Sequence, residues 1–211
     1  MSFDFPCNTF SRARKHDNRG PPPLRSDDPD GLRGLATLSH RDKARVEEAN
    51  ILLAHTISLI RTAYDRGVVV LLENPKSSRL WLMPEMIKLL EETPHEKVQV
   101  DYCQYGDATW RKPTTFITWN LPGLLLNTCN NRGQTGLCSR TGKPHTSLVG
   151  KKNGKFLTKL AEPYPYDMCI QIADHVARRV TSTSTLGRAI ASHADAHAYV
   201  DIQGSPTGTP L

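Results

Sequence analysis

Between Arg41 and Gly67 the chain reads RDKARVEEANILLAHTISLIRTAYDRG, with Val46, Ala49, Leu53, Ile57, Ile60 and Tyr64 three or four residues apart. That spacing gathers apolar side chains on one face of a helix. Ser39 and Asp42 supply a start signal and Gly67 a stop, so one long amphipathic helix is predicted. Asn50 falls on its apolar face, where it reads as a hydrogen-bonded buried amide. The next run, VVVLLEN, is apolar and β-branched without alternation. This predicts a strand covered on both faces, as in a parallel sheet, and the helix–strand succession predicts an α/β unit.

After Pro75, SRLWLMPEMIKLLEE predicts a helix broken or begun near Pro84, and KVQVDYC and TTFITWN predict two further strands. The pattern then fades, apart from a short KFLTKL that suits either strand or helix. YDMCIQIADHVARRV spaces Met168, Ile172 and Val176 by four, with Cys169 and Ala173 alongside. A second amphipathic helix is predicted there, with Cys169 near the core. Residues 15–40, rich in Pro, Gly and Asp, predict a long loop. From Thr181 the composition predicts a flexible tail, with a weak helix in TLGRAIASHADAHAYV. The organisation read from these patterns is an α/β catalytic region over 1–120, a basic segment over 121–162, a closing helix over 163–180 and a tail over 181–211.

Composition sharpens this picture at three points. With 211 residues the chain can bury one substantial core. No apolar run is long enough to span a bilayer, and the opening MSFDFPCN lacks the charge and apolar pattern of a secretory signal. Five cysteines at irregular spacing argue against a disulfide framework and leave thiol chemistry or metal binding in a reducing, intracellular compartment, cytoplasm or nucleus. The net charge of +6 is unevenly spread. From Ala108 to Ala161 there is no Asp or Glu, while Arg111, Lys112, Arg132, Arg140, Lys143, Lys151, Lys152, Lys155 and Lys159 all fall there. Without those nine, 18 of the 27 basic residues remain against 21 acidic ones, so this segment sets the sign. Such a stretch suits phosphate tracking on nucleic acid, or else a solvated basic loop.

Two short motifs sit where an α/β enzyme places its chemistry: Cys7 after a strand-like FDF, and Glu73-Asn74-Pro75 after VVVLL. Each alone also suits a plain structural role, as a small buried thiol or as a turn cap. Taken in order, PCNTFS at 6–11, ENP at 73–75 and DYCQYGDATWRKPTTFI at 101–117 resemble the cytosine-C5 DNA methyltransferase family. The Asn after the cysteine, the GPPPLRS loop and the Pro after Glu-Asn are similar to its phage and mobile-element relatives. The resemblance spans about residues 3–180 and implies part of a Rossmann-like methyltransferase sheet with flanking helices and an irregular basic segment.

The resemblance implies roles for individual residues. Cys7 would be the nucleophile that adds to carbon 6 of the base, Glu73 the group at its N3 edge, and Asn74 the residue that orients the loop. Arg12, Arg14 or Arg111 would provide cations that favour the thiolate. Arg111 and Lys112 lie near the family's later arginine motif, although WRKPT departs from its Gln-x-Arg-x-Arg spacing. Residues 12–40 would close over a flipped base in DNA. The basic segment, with Arg132, Arg140, Lys143, Lys151, Lys152 and Lys155, falls where the family carries its target-recognition region.

The resemblance also implies S-adenosylmethionine, yet only six residues precede Cys7, and GSPTGTP near the end follows no strand. The chain therefore reads as the catalytic and DNA-reading part of a methyltransferase without its cofactor site, inactive alone in methylating DNA and needing a second polypeptide. Cys129, Cys138 and His145, with Cys103 as a fourth ligand, are spaced for a small zinc loop unlike the common zinc modules. Two other readings stay open: a non-catalytic nucleic-acid-binding remnant, and a small zinc-stabilised interaction protein.

Overall fold

The computed structural model describes residues 1–14 and 21–182. The expected weak helix in the tail, and residues 15–20 of the expected long loop, lie outside the described residues. The chain divides into two units, Met1–Ile170 and Gln171–Leu211. The first carries the sheet; the second is described as a helical stretch over 171–182.

Strands β1 (Ser2–Asp4), β2 (Val70–Pro75), β3 (Glu96–Asp101) and β4 (Pro113–Trp119) form one sheet in the order β1-β2-β4-β3. β1 is parallel to β2, whereas β4 lies antiparallel between β2 and β3. The sheet is thus mixed, with three strands running one way and one reversed, rather than the parallel sheet suggested by VVVLLEN. Burial on both faces erases alternation, and β2 is indeed buried from Val70 to Asn74; that signal carries no information about a neighbour's direction.

Register brings four strand ends to one edge. Asp4 pairs with Glu73, Pro75 with Thr114 and Asp101 with Pro113. The carboxyl ends of β1, β2 and β3 therefore meet the start of β4, the arrangement in which open sheets collect ligands. The strand period of two then sorts the side chains: Val70, Leu72, Ile117 and Trp119 enter one apolar cluster, while Glu73 and its partner Phe116 face the other side.

Helices α1 (Pro29–Leu32), α2 (His40–Asp65) and α3 (Pro84–Glu92) contribute to that first cluster. The start of α2 is capped by the Ser39 hydroxyl, which accepts from the Asp42 amide at 3.1 Å, and Gly67 leaves it at φ +67°. Its buried face holds the expected Val46, Ala49, Leu53, Ile57 and Ile60, and also Thr56 and Ala63; Tyr64 is half-buried. Pro84 opens α3 at the first helical position, where its missing N–H costs nothing, after a 3-10 turn over Arg79–Leu82. Each fully buried Leu or Ile here contributes about 1.5–3 kcal/mol.

The loop after residue 20 is more ordered than its composition suggests, and Arg25 is the reason. This arginine is 1% exposed. Its Nη1 donates to Leu32 O at 2.9 Å and Asn50 Oδ1 at 2.8 Å, and its Nη2 to Thr9 Oγ1 at 3.3 Å and Val46 O at 3.4 Å. The guanidinium also lies 3.9 Å from the centre of the Phe10 ring. Asn50 completes its own amide by donating to Arg33 O at 3.1 Å, satisfied as expected but half-buried rather than buried.

In the basic segment, KFLTKL, expected as either strand or helix, is divided between a short strand and a 3-10 turn. A hairpin of β5 (Lys151–Lys152) and β6 (Lys155–Phe156) is followed by a 3-10 turn over Leu157–Ala161. Residues 166–170 close the first unit as a helix in which Met168 is buried. Cys169, expected near the core, is exposed instead. Successive helical residues point about 100° apart, so Cys169 leaves the face that Met168 occupies. Among the described residues no helix is long and apolar enough to cross a membrane.

Candidate active site and candidate metal centre

The turn that presents Cys7 is fixed from three sides. The Phe10 amide closes it on Cys7 O at 3.1 Å, and the Phe5 and Phe10 rings anchor its two ends in the core, 5.6 Å apart. From the end of β2, Asn74 Nδ2 donates to Phe5 O at 2.8 Å. From the 3-10 turn, the Arg79 amide donates to Phe10 O at 3.0 Å and its Nη1 to Ser11 O at 3.3 Å. Cys7 itself remains exposed at the sheet edge.

Glu73 is 4% exposed on the face away from α2 and α3. Lys112, immediately before β4, places its Nζ 3.8 Å from Glu73 Oε1. That ammonium also donates to the Tyr102 hydroxyl at 3.2 Å and lies 4.6 Å and 5.9 Å from the centres of the Tyr102 and Tyr164 rings. Glu73 Oε1 has no hydrogen-bond partner, nor has Asn74 Oδ1. Burial raises the Glu73 carboxyl above its ordinary range; Lys112 opposes the rise, and Asp4, its neighbour across β1, adds to it. A buried carboxyl beside a second one holds its proton more readily than a free one.

The same groups act on Cys7. Although the residue is exposed at one side, the protein around its sulfur desolvates the thiol and lifts it above its ordinary value; Lys112 draws it down, and Glu73 and Asp4 push it up. This differs from the expectation that Arg12, Arg14 or Arg111 would favour the thiolate. Arg12 pairs with Asp27 at 2.6 Å, Arg14 donates to Pro22 O at 3.1 Å, and Arg111 pairs with Asp101 at 2.8 Å. The cation that serves Cys7 is Lys112, which arrives from more than a hundred residues downstream.

The remaining basic residues lie outside this constellation. Arg140 donates to Cys103 O and Gly106 O, both at 2.8 Å, while Arg132, Lys143, Lys151 and Lys155 are exposed and Lys152 lies in β5. A groove of about 360 Å³ follows β3, lined by Lys76, Gln99, Asp101, Arg111 and Cys129 rather than by Cys7.

At the end of β3 a second cluster forms. One donor atom each from Cys103, Cys129, Cys138 and His145 lies within 4.8 Å of the others, and the three cysteines are buried. The four can hold a metal ion such as zinc. Cys129 Sγ and His145 Nε2 are 3.6 Å apart, and all three thiols are free of disulfides.

Sequence reasoning missed Asp4, Tyr102, Tyr164 and Arg25. Asp4 had a readable signal, since strand-like FDF set it three residues before Cys7. The tyrosines had none, because their role depends on a lysine distant in sequence. Comparison of the chain with protein-family models, curated proteins and solved structures found no match.

Proposed function

We propose that this chain is the base-engaging and DNA-reading part of a cytosine-C5 methyltransferase-like protein, built on part of a Rossmann-like sheet. The observation that carries the reading is the buried Glu73 carboxyl, whose Oε1 faces the Lys112 ammonium at 3.8 Å without a hydrogen bond and which is electrostatically linked to Cys7. A buried polar atom left unpaired costs free energy, and a ligand that completes it recovers that cost. A base flipped out of the duplex brings such a partner.

The raised carboxyl suits one task in particular. Neutral Glu73 donates its proton to N3 of cytosine, which draws electron density from the ring. The Cys7 thiol gives its proton to solvent, and Lys112 offsets both the thiolate and the carboxylate left on Glu73. The sulfur then forms a bond to carbon 6, the electron pair of the C5–C6 double bond moves to C5, and C5 takes a proton from solvent. Loss of the original C5 proton to solvent, departure of the thiolate and return of the N3 proton to Glu73 restore the base, so the cycle exchanges C5–H without any cofactor.

S-Adenosylmethionine is a separate matter. The turns after β1 and β2, residues 5–14 and 76–78, contain no glycine, and β1 is the terminal strand of the sheet. These residues do not fit that cofactor, and no methyl-transfer step follows from them. A second polypeptide pairing along the free edge of β1 would supply such a site. The exposed lysines and arginines of the basic segment would hold the DNA phosphates.

The test is tritium release from DNA labelled at cytosine C5, incubated with the chain alone. The wild type is expected to release tritium, Cys7→Ser to release none, and Glu73→Gln to slow release roughly 100-fold, as for a lost general acid. Tight DNA binding without release would overturn the catalytic reading in favour of a nucleic-acid-binding protein.

A further inference from the structure

We propose that Cys103, Cys129, Cys138 and His145 hold one Zn²⁺ in a closed tetrahedral site that fastens the basic segment to the end of β3. This inference stands independently of the chemistry at Cys7.

Three observations converge on it. The first is distance. A tetrahedral zinc with Zn–S near 2.3 Å and Zn–N near 2.0 Å separates adjacent ligand atoms by about 3.5–3.8 Å. The Cys129–His145 separation of 3.6 Å already meets this, and the 4.8 Å limit on the others requires only a small contraction.

The second is the set of donors around the sulfurs. The Ser139 amide donates to Cys129 Sγ at 3.4 Å, and Gln104 Nε2 reaches Cys103 Sγ at 3.4 Å and Cys138 Sγ at 3.5 Å. N–H groups aimed at sulfur stabilise thiolates and orient them, as outer partners of metal ligands do. The chain bends sharply to aim them. Asn131, Arg132 and Gly133 take φ of 51°, 44° and 67° after Cys129, and Gly142 takes φ 70° where its amide returns to Cys138 O at 2.8 Å. A side chain at Gly142 would meet the Arg132 guanidinium at 2.9 Å.

The third is what else is there to hold the segment. The buried side chains at its centre form a cluster of Cys103, Cys129 and Cys138 alone, apart from the main apolar core. Three thiols and an imidazole bury little apolar area, whereas a structural zinc contributes folding free energy directly. The anchors around the cluster fit this role. Asp101 at the end of β3 accepts from the Cys129 amide at 2.8 Å and pairs with Arg111, and Arg140 ties back to Cys103 O. The four donors fill the coordination shell, so the site is structural rather than catalytic.

The experiment uses the full chain. Metal analysis of the purified protein is expected to find about one zinc per chain, in keeping with a single four-ligand site. With zinc bound, a thiol reagent should titrate only the exposed Cys7 and Cys169; after chelation under reducing conditions it should titrate all five cysteines. Cobalt substitution should give the intense absorption of a tetrahedral thiolate site, weakened in His145→Ala and abolished in Cys138→Ser. The wild-type thiol count keeps the test decisive if those variants do not fold. Five reactive thiols in the presence of excess zinc, or a Cys103, Cys129 or Cys138 disulfide in the protein as isolated under reducing conditions, would overturn the assignment.

Discussion

The sheet end and the basic segment sit side by side and are stabilised by different physics. At the sheet end, Glu73 lies in β2 and Cys7 in the turn after β1, and the sheet's other face is sealed by Leu53, Ile60, Leu72, Met86 and Trp119, all nearly or fully buried. A polar cluster can be tolerated there because a large apolar cluster behind it keeps the backbone in place. The segment after Trp119 has two-residue strands, several left-handed turns, and a buried centre made of thiols. It has charge and polar contacts where the sheet has packing. The difference teaches that one chain can set aside an apolar core for one region and rely on directed donors for another, and the two should respond to different perturbations.

The largest separation between the regions should come from Trp119→Ala. It removes a side chain with no exposure and the hydrogen bond that its indole N–H donates to the Thr93 hydroxyl at 2.8 Å, leaving that hydroxyl its bond to Leu89 O. A loss of about 3–5 kcal/mol is expected, read as a lower urea midpoint for the whole sheet. A loss under about 1 kcal/mol would erase the contrast between a packed and an unpacked region.

Arg25 comes next, because it joins the loop behind Cys7 to α2 through hydrogen bonds rather than through an ion pair. Burial lowers its pKa to about 10, so it remains charged at neutral pH. Arg25→Met keeps the volume but leaves the Leu32 and Val46 carbonyls without these donors. A cost of about 1–3 kcal/mol is expected, with faster proteolysis near Thr9. Unchanged stability would place the order of that loop elsewhere.

The smallest effects should appear at Glu73 and Cys7. A carboxyl raised in the folded state keeps its proton longer than in the unfolded chain. Stability therefore falls as pH climbs from the ordinary carboxyl range through the raised native value. Glu73→Gln should remove that decline, seen as urea midpoints that no longer drop across this window. The same change removes a charge that lifts the Cys7 thiol, so alkylation of Cys7 near pH 8 should become several-fold faster, while Lys112→Met should slow it. Equal rates in all three proteins would mean that the carboxyl, the ammonium and the thiol do not act as one site.

The order of elements was legible from the chain because the information is local. The three-to-four spacing from Val46 to Ile60, Pro84 as a helix start and the unbroken VVVLL run each express themselves within a dozen residues, where backbone geometry and apolar spacing suffice. The succession of a thiol after one strand and a carboxylate after another was equally readable, as was the crowding of Cys129, Cys138 and His145. What only the tertiary structure decided is which groups meet. The antiparallel insertion of β4 carries Lys112 to Glu73, the end of β3 carries Cys103 to the other three donors, and Asp101 occupies Arg111, one of the three arginines expected to serve Cys7. Charge environment and metal-ligand geometry depend on distances of a few ångströms between residues tens of positions apart. No periodicity records such distances, because they are set by register and packing after the strands have found one another.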